Sequence, residues 1–393
     1  MLNTSPDTAR ECERIVCACP RQWLYLLGDE GVVYSEAQRR FAGLTAAGVS
    51  AYRAFDAGAR IEDLRLADNQ QRPEAVSVGE LEAIHELTQG IFPGYESGDE
   101  YAEDWPDPDP WISTYPEAAN IELHGIPISL AYPAGPWEEL CLDCFRNCPQ
   151  SDRPARWRLS GQPTGDGWAI HINDRRLFSV QHGRQLGLGL LHAARSLLYS
   201  GGKYDVAFHA AMVAFDNCGM MLCAPREYGK STLAAYLVTQ GFDFLTDEPA
   251  LLDLDSWSVS PVRLPISLKE GSWPILRQHL PQLADAPVHM RSDGTRIRMV
   301  HPSQQCYSLQ TRPLTHIVFP QYVASSSAEV ESLSPLHTLR LLSEGGLLLT
   351  KRFVRKDFEA FLQSIRRTPA YRLQYPSFEE AQRMLREISC FEK

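Results

Sequence analysis

The sequence predicts an α/β protein, and three observations carry that prediction. Residues 219–223 (GMMLC) form a short apolar run of strand type. A loop follows, and then residues 231–240 place Leu233, Ala234, Leu237 and Val238 at helical spacing, with Gly241 positioned to stop the helix. Residues 242–246 are a second apolar strand, which ends in two acids, Asp247 and Glu248. A smaller α+β block is expected ahead of this core.

The loop between the first strand and the helix reads Ala224-Pro-Arg226-Glu227-Tyr228-Gly229-Lys230-Ser231-Thr232, a near-match to G-x-x-x-x-G-K-[ST]. A strand, a loop and a helix N-terminus together aim backbone N–H groups and the positive dipole end at one point, where phosphates are held. Lys230 adds a point charge there, and the Ser231 hydroxyl suits magnesium. Two departures weaken the match: alanine replaces the first glycine, and Glu227 stands where a small residue is usual. A carboxylate beside phosphates repels them unless it turns outward or Arg226 neutralises it. A chance G-K-S-T is common in loops, so the flanking residues decide. An acid at the end of the next strand is where such proteins hold a metal, and a second acid can accept a hydroxyl proton. The bland alternative for Asp247-Glu248 is a turn or helix cap. His209 sits where the strand before the loop begins, although a lone histidine is more often structural.

The run HAAMVAF…GMMLCAPREYGKSTLAAYLVTQGFDFLTDEPALLDLD…PISLK resembles the HPr kinase/phosphorylase superfamily. In particular it resembles the HPr-kinase-related kinases of ribosomal-peptide (lasso-type) gene clusters. The resemblance covers about residue 120 to the C-terminus and implies a kinase domain of HPr-kinase/PEP-carboxykinase type. It implies nucleotide binding by Ala224, Arg226, Tyr228, Gly229, Lys230, Ser231 and Thr232, with magnesium on Ser231 and Asp247. It also implies catalytic roles for His209, Asp247, Glu248 and Lys269. The implied activity is ATP-dependent phosphorylation of a Ser or Thr hydroxyl on a ribosomally made precursor peptide, with ATP and Mg2+ as cofactors. Two alternatives stay open: a degenerate nucleotide-binding scaffold, motivated by Ala224 and Glu227, and a kinase acting on a carrier protein or small molecule. Relatives of this kind assemble as rings or dimers, so a homo-oligomer is among the implied states. Without the resemblance, Lys269 reads as a surface lysine.

Length and composition agree with a globular protein. The chain of 393 residues is 44% apolar and 22% charged. Its net charge of −11 argues against a general nucleic-acid binder. No apolar run reaches the roughly 18 residues of a membrane span. The first twenty residues show no apolar core of signal-peptide length, which leaves the cytoplasm as the expected compartment. Of ten cysteines, Cys141, Cys144 and Cys148 are the cluster to weigh against a metal. They share one helix face among Trp137, Leu140, Leu142 and Phe145, so core packing is the better reading.

Along the chain, residues 1–93 are expected to form a winged-helix-like module. Residues 22–27 and 32–34 flank a Gly-rich turn as a hairpin, and helices follow over 37–47, 49–57 and 77–87. The module resembles the small peptide-recognition domain of ribosomal-peptide biosynthesis, which binds a leader peptide as an added strand. An accessory or dimerisation domain is the plain alternative. Residues 94–118 read as an acidic, Pro-rich linker: 94–111 hold seven acids, three prolines and no Lys or Arg. The kinase-like domain then takes 119–393, with an N-terminal lobe to 205. In that lobe a hairpin over 121–132, a helix over 137–147 and strands at WRLSG and WAIHIN are expected. The apolar helix 186–199 is expected to pack under the sheet that carries the loop. Arg296 and Arg298 alternate on a strand, facing either solvent or an anion. A strand at 316–320, helices over 334–350 and 356–366, a strand at 370–375 and a helix over 377–388 complete the reading.

Overall fold

A computed structural model describes residues 14–68, 76–92, 119–200, 204–225, 228–325, 327–349 and 353–390. The expected linker 94–118 lies outside the described residues. Contact clustering divides the chain into two compact units. One holds the described residues up to 92 with Ser334–Leu341 and a helix at Arg355–Arg367; the other holds the rest.

In the first unit, β1 (Arg14–Val16), β2 (Gln22–Leu27), β3 (Glu30–Ser35) and β4 (Arg40–Leu44) form an antiparallel meander in that order. The β2–β3 hairpin turns through Gly28, at φ 68°, as the glycine spacing leads one to expect. Helices α1 (Ala46–Asp56), α2 (Ile61–Asp68) and α3 (Val78–Thr88) follow. The Thr45 hydroxyl accepts from Gly48 N at the start of α1. At α3 the full capping box forms between Ser77 and Glu80. Leu24, Val33, Tyr52, Phe55, Leu81 and Ile84 meet in one core.

Residues 37–47 are not the helix that the sequence suggests. Arg39 takes a positive φ of 53° in a tight turn, and the chain returns along β3 with Phe41 opposite Tyr34. Both rings join Phe358 of the helix Arg355–Arg367, Tyr34 stacking on it at 4.1 Å and Phe41 lying 5.6 Å away. Cross-strand and aromatic packing from a segment three hundred residues away outweighs local helix preference here.

In the second unit, β5 (Ala119–Leu123) and β6 (Ile126–Ala131) form the expected hairpin, with His124 and Gly125 both at positive φ. Next come α4 (Glu138–Asp143), shorter than expected, and the strands β7 (Trp157–Thr164), β8 (Gly167–Ile172) and β9 (Arg175–Val180). β9 was not foreseen. These five strands make one sheet in chain order. Helix α5 (Leu186–Ser200) shares its core with that sheet, and with Ala207 and Leu251 at one end of the larger sheet. It therefore packs against the sheet that carries the loop, as expected, but at that end of it.

Among the described residues the larger sheet has ten strands. They are β10 (Val206–Phe208), β11 (Ala210–Phe215), β12 (Cys218–Cys223), β13 (Asp243–Thr246), β14 (Ala250–Asp253), β15 (Ser258–Ser260), β19 (Arg312–Tyr322), β20 (Glu329–Ser332), β21 (Leu347–Leu349) and β22 (Ala370–Tyr375). β12, β19 and β22 run parallel side by side, and the other pairings are antiparallel. Helix α6 (Lys230–Thr239) links β12 to β13, and α10 (Phe378–Cys390) follows β22. β16 (Ile266–Lys269), β17 (Val288–Met290) and β18 (Arg296–Val300) form a three-stranded sheet, with the short α7 (Trp273–Leu276) beside it.

Gly219 in β12 is required by close approach, since a Cβ there would meet Pro313 O at 2.1 Å. The expected helix 334–350 ends early: α8 covers Pro335–Glu344, and 347–349 become β21 on the edge of β10. Gly346, at φ 94°, makes that break. α9 is Arg355–Arg367, close to its expected span. Cys141, Cys144 and Cys148 lie in the core, as packing predicts, and burial pushes the thiols of Cys141 and Cys148 up to about 12. Arg296 and Arg298 lie over the Trp273 ring, at 5.4 and 4.5 Å, with Arg296 exposed to solvent and Arg298 half-buried.

Candidate functional site

β12 ends at Cys223, and the chain reaches α6 through Gly229, whose φ of 83° only glycine adopts without strain. Gly229 has no side chain to cap the helix, so the first-turn N–H groups keep their capacity for an anion. The Lys230 side chain is buried and folds back, with Nζ donating to Ala224 O at 2.7 Å. Ala224 is itself buried and is not among the positive-φ residues, so the alanine adds no backbone strain where a glycine is usual. Arg226 and Glu227 lie outside the described residues.

The acids at the end of β13 differ in environment. Asp247 is buried; its Oδ2 accepts from Ser267 N at 3.0 Å, and its Oδ1 has no hydrogen-bond partner. Burial pushes its pKa up and the neighbouring Glu248 adds to that, while the Ser267 amide and the Ser231 hydroxyl work the other way. Glu248 is drawn down to about 2: burial opposes this, but Arg195, His209 and Lys230 outweigh it. Its two oxygens are divided between His209 Nδ1 at 2.7 Å and Arg195 Nη1 at 3.4 Å.

His209 stands between β10 and β11, and its backbone N–H donates to Gly346 O at 2.9 Å. Gly346 has no Cβ to press on the His209 side chain, which would lie 3.0 Å from one. These groups open on one cleft of about 720 Å3, which Lys230, Ser231, Thr232, Asp247, Glu248 and Lys269 also line. The structure thus brings together His209, Gly229, Lys230, Ser231, Thr232, Asp247, Glu248 and Lys269. It does not place Tyr228 there. That side chain is 47% exposed and borders a second cleft.

Sequence reasoning missed Arg195, His192 and Arg291, which line the cleft, and Gly346, whose carbonyl holds the His209 backbone. His192 reads from sequence as an ordinary helix-face residue, yet it lines the cleft. The available signal was His192 and Arg195 three residues apart on an otherwise apolar helix, which puts both on one face. Nothing local in the sequence marks Gly346.

The arrangement defines a mixed α/β protein in which a helix N-terminus, a lysine and paired carboxylates share one cleft. No family model matches the chain, and no curated protein matches it. Among solved structures it is similar to the HPr(Ser) kinase/phosphatase from Coxiella burnetii, at 9% identity and a TM-score of 0.24, over 47% of this chain and 97% of that one. So loose an alignment carries no argument about fold or activity.

Proposed function

We propose that the chain is an ATP-dependent phosphotransferase that phosphorylates a Ser or Thr hydroxyl of a ribosomally made precursor peptide. The observation that carries the reading is the convergence of Lys230 and Ser231, at the start of α6, with Asp247, Glu248 and His209 on one cleft. Positioning and charge neutralisation are what phosphoryl transfer needs from a protein.

The residues present fit magnesium. Asp247 Oδ1 is buried without a partner, and the Ser231 hydroxyl is close by. Among the described residues no three His, Cys, Asp or Glu side chains gather as a zinc site would require, whereas Mg2+ takes one or two oxygen ligands and keeps its waters. When bound by Ser231 and Asp247, the ion would neutralise phosphate charge. The α6 N–H groups and Lys230, released from Ala224 O, hold the phosphates. Lys269, at the cleft wall, faces the transferring group and stabilises its developing charge.

The charge on Glu248 gives it a different task from the base suggested by sequence. A carboxylate held near 2 accepts a hydroxyl proton poorly. Glu248 instead orients His209 through Nδ1, which leaves Nε2 to take the proton from the acceptor hydroxyl. Arg195 balances the Glu248 charge from the other side.

The peptide substrate rests on the resemblance of residues 1–93 to leader-binding modules and on their meander, whose edge strand β1 is short and has Val16 exposed. Calorimetry with Mg-ATP tests the reading, with Lys230→Ala alongside. Binding that the variant abolishes supports it; no binding at millimolar ATP overturns it. Transfer of labelled phosphate to a candidate precursor peptide then tests the substrate.

A further inference from the structure

A second cleft, of about 690 Å3, adjoins the first and shares Gly229, Thr232 and Ser272 with it. Its chemistry is different. Tyr322 at the end of β19 and Tyr375 at the end of β22 are paired in register, their rings 5.8 Å apart, and Phe378 lies 6.4 Å beyond Tyr375. Tyr228 and Ile275 form exposed walls, and Gln278 and Gln321 supply amide groups. His279 and Glu379 also line it, and no lysine or arginine is among the described lining residues, so the cleft suits a flat, polar-edged ring that carries no negative charge and not a phosphate. It also lies where the parallel strands β12, β19 and β22 end, which is where open α/β sheets take their ligands.

We propose that this cleft holds the base and ribose of the nucleoside triphosphate donor. The inference rests on the phosphotransferase reading and adds to it the direction in which the donor lies. The acids and His209 occupy the first cleft, so the transferred phosphoryl group must end there. The remainder of the molecule then leaves the α6 N-terminus across Gly229 and Thr232, and the aromatic cleft is the space it enters. Tyr322, 54% exposed, offers its face for stacking, and the two glutamine amides can pair with the edge of the base.

The test compares Mg-ATP, Mg-ADP and inorganic magnesium tripolyphosphate by calorimetry on the full chain, in wild type, Tyr322→Ala and Ile275→Glu. Both substituted side chains are more than half exposed, so neither variant endangers folding. The expected result is ATP binding about tenfold or more tighter than tripolyphosphate, a margin typical of base stacking. Both variants should remove most of that margin and leave tripolyphosphate affinity unchanged. Equal affinity of ATP and tripolyphosphate, insensitive to both variants, would overturn the base site while leaving the phosphate site standing. Failure of every anion to bind would overturn the phosphotransferase reading and this inference with it. An unchanged ATP affinity in Tyr322→Ala with a raised KM for a peptide acceptor would assign the cleft to the acceptor and overturn the proposal.

Discussion

Two adjacent carboxylates with opposite shifts make sharp predictions at the scale of single residues. Asp247 is buried, one oxygen lacks a partner, and burial raises its pKa. Its folded-state pKa lies above the unfolded value, so its charge costs stability at neutral pH, and acid relieves that cost. Asp247→Asn should therefore raise the thermal midpoint by about 2–4 °C while abolishing Mg2+-dependent transfer, to be read by calorimetric melting and a phosphotransfer assay. A loss of stability in that variant would refute the account of the site. Glu248 runs the other way. Its pKa falls from 4.5 to about 2, so its contribution is complete above pH 4.5 and is lost as pH drops towards 2. Glu248→Gln leaves Arg195 buried beside a neutral amide and should cost about 3 kcal/mol at pH 7 in urea unfolding. The cost should shrink in acid. Asp143, held at about 2 against burial by His289 and His301, retains part of the acid limb. The paired acids were legible from their place at a strand end; their opposite environments were not, because Arg195 and Ser267 arrive from distant elements.

Among elements, the strand–loop–helix unit was the most legible, since its signals are local: an apolar run, a glycine hinge and a 3.6-residue pattern. Gly229→Ala places a side chain at φ 83° and should cost about 1–2 kcal/mol, weakening tripolyphosphate binding by about tenfold or more. At α3, where Ser77 and Glu80 complete a capping box, Ser77→Ala should cost about 1 kcal/mol in chemical denaturation. The helices expected over 37–47 and at the end of 334–350 show where local signals fail. Residues 40–44 pair with β3 and residues 347–349 with β10, and a helical pattern does not report a distant hydrogen-bonding partner.

Over the whole molecule, the units do not follow chain order. The aromatic face of α9, with Phe358 and Phe361 fully buried, belongs to the unit that contains β1–β4. Tyr25, Tyr34 and Phe41 all pack on Phe358. Deleting residues 1–110 would expose that face, so the truncated chain should aggregate and should not behave as an isolated C-terminal domain. Size-exclusion chromatography checks this; a monodisperse truncation would contradict it. The leader-binding proposal is better tested on the full chain, by hydrogen exchange with and without a candidate peptide. Added protection is expected at an edge of the β1–β4 sheet.

The sequence by itself determined the α/β class, the helix N-terminus carrying Gly229, Lys230 and Ser231, and the acid pair after β13, because each is written within a dozen residues. Only the tertiary structure decided that Glu248 is clamped between Arg195 and His209, that Tyr228 borders a different cleft from the acids, and that an aromatic cleft adjoins the loop. Those features join residues from the β10–β11 junction, α5, β19 and β22, and their energies come from burial and close approach across the fold. Burial sets the charge state of each acid, and no neighbour in sequence records it.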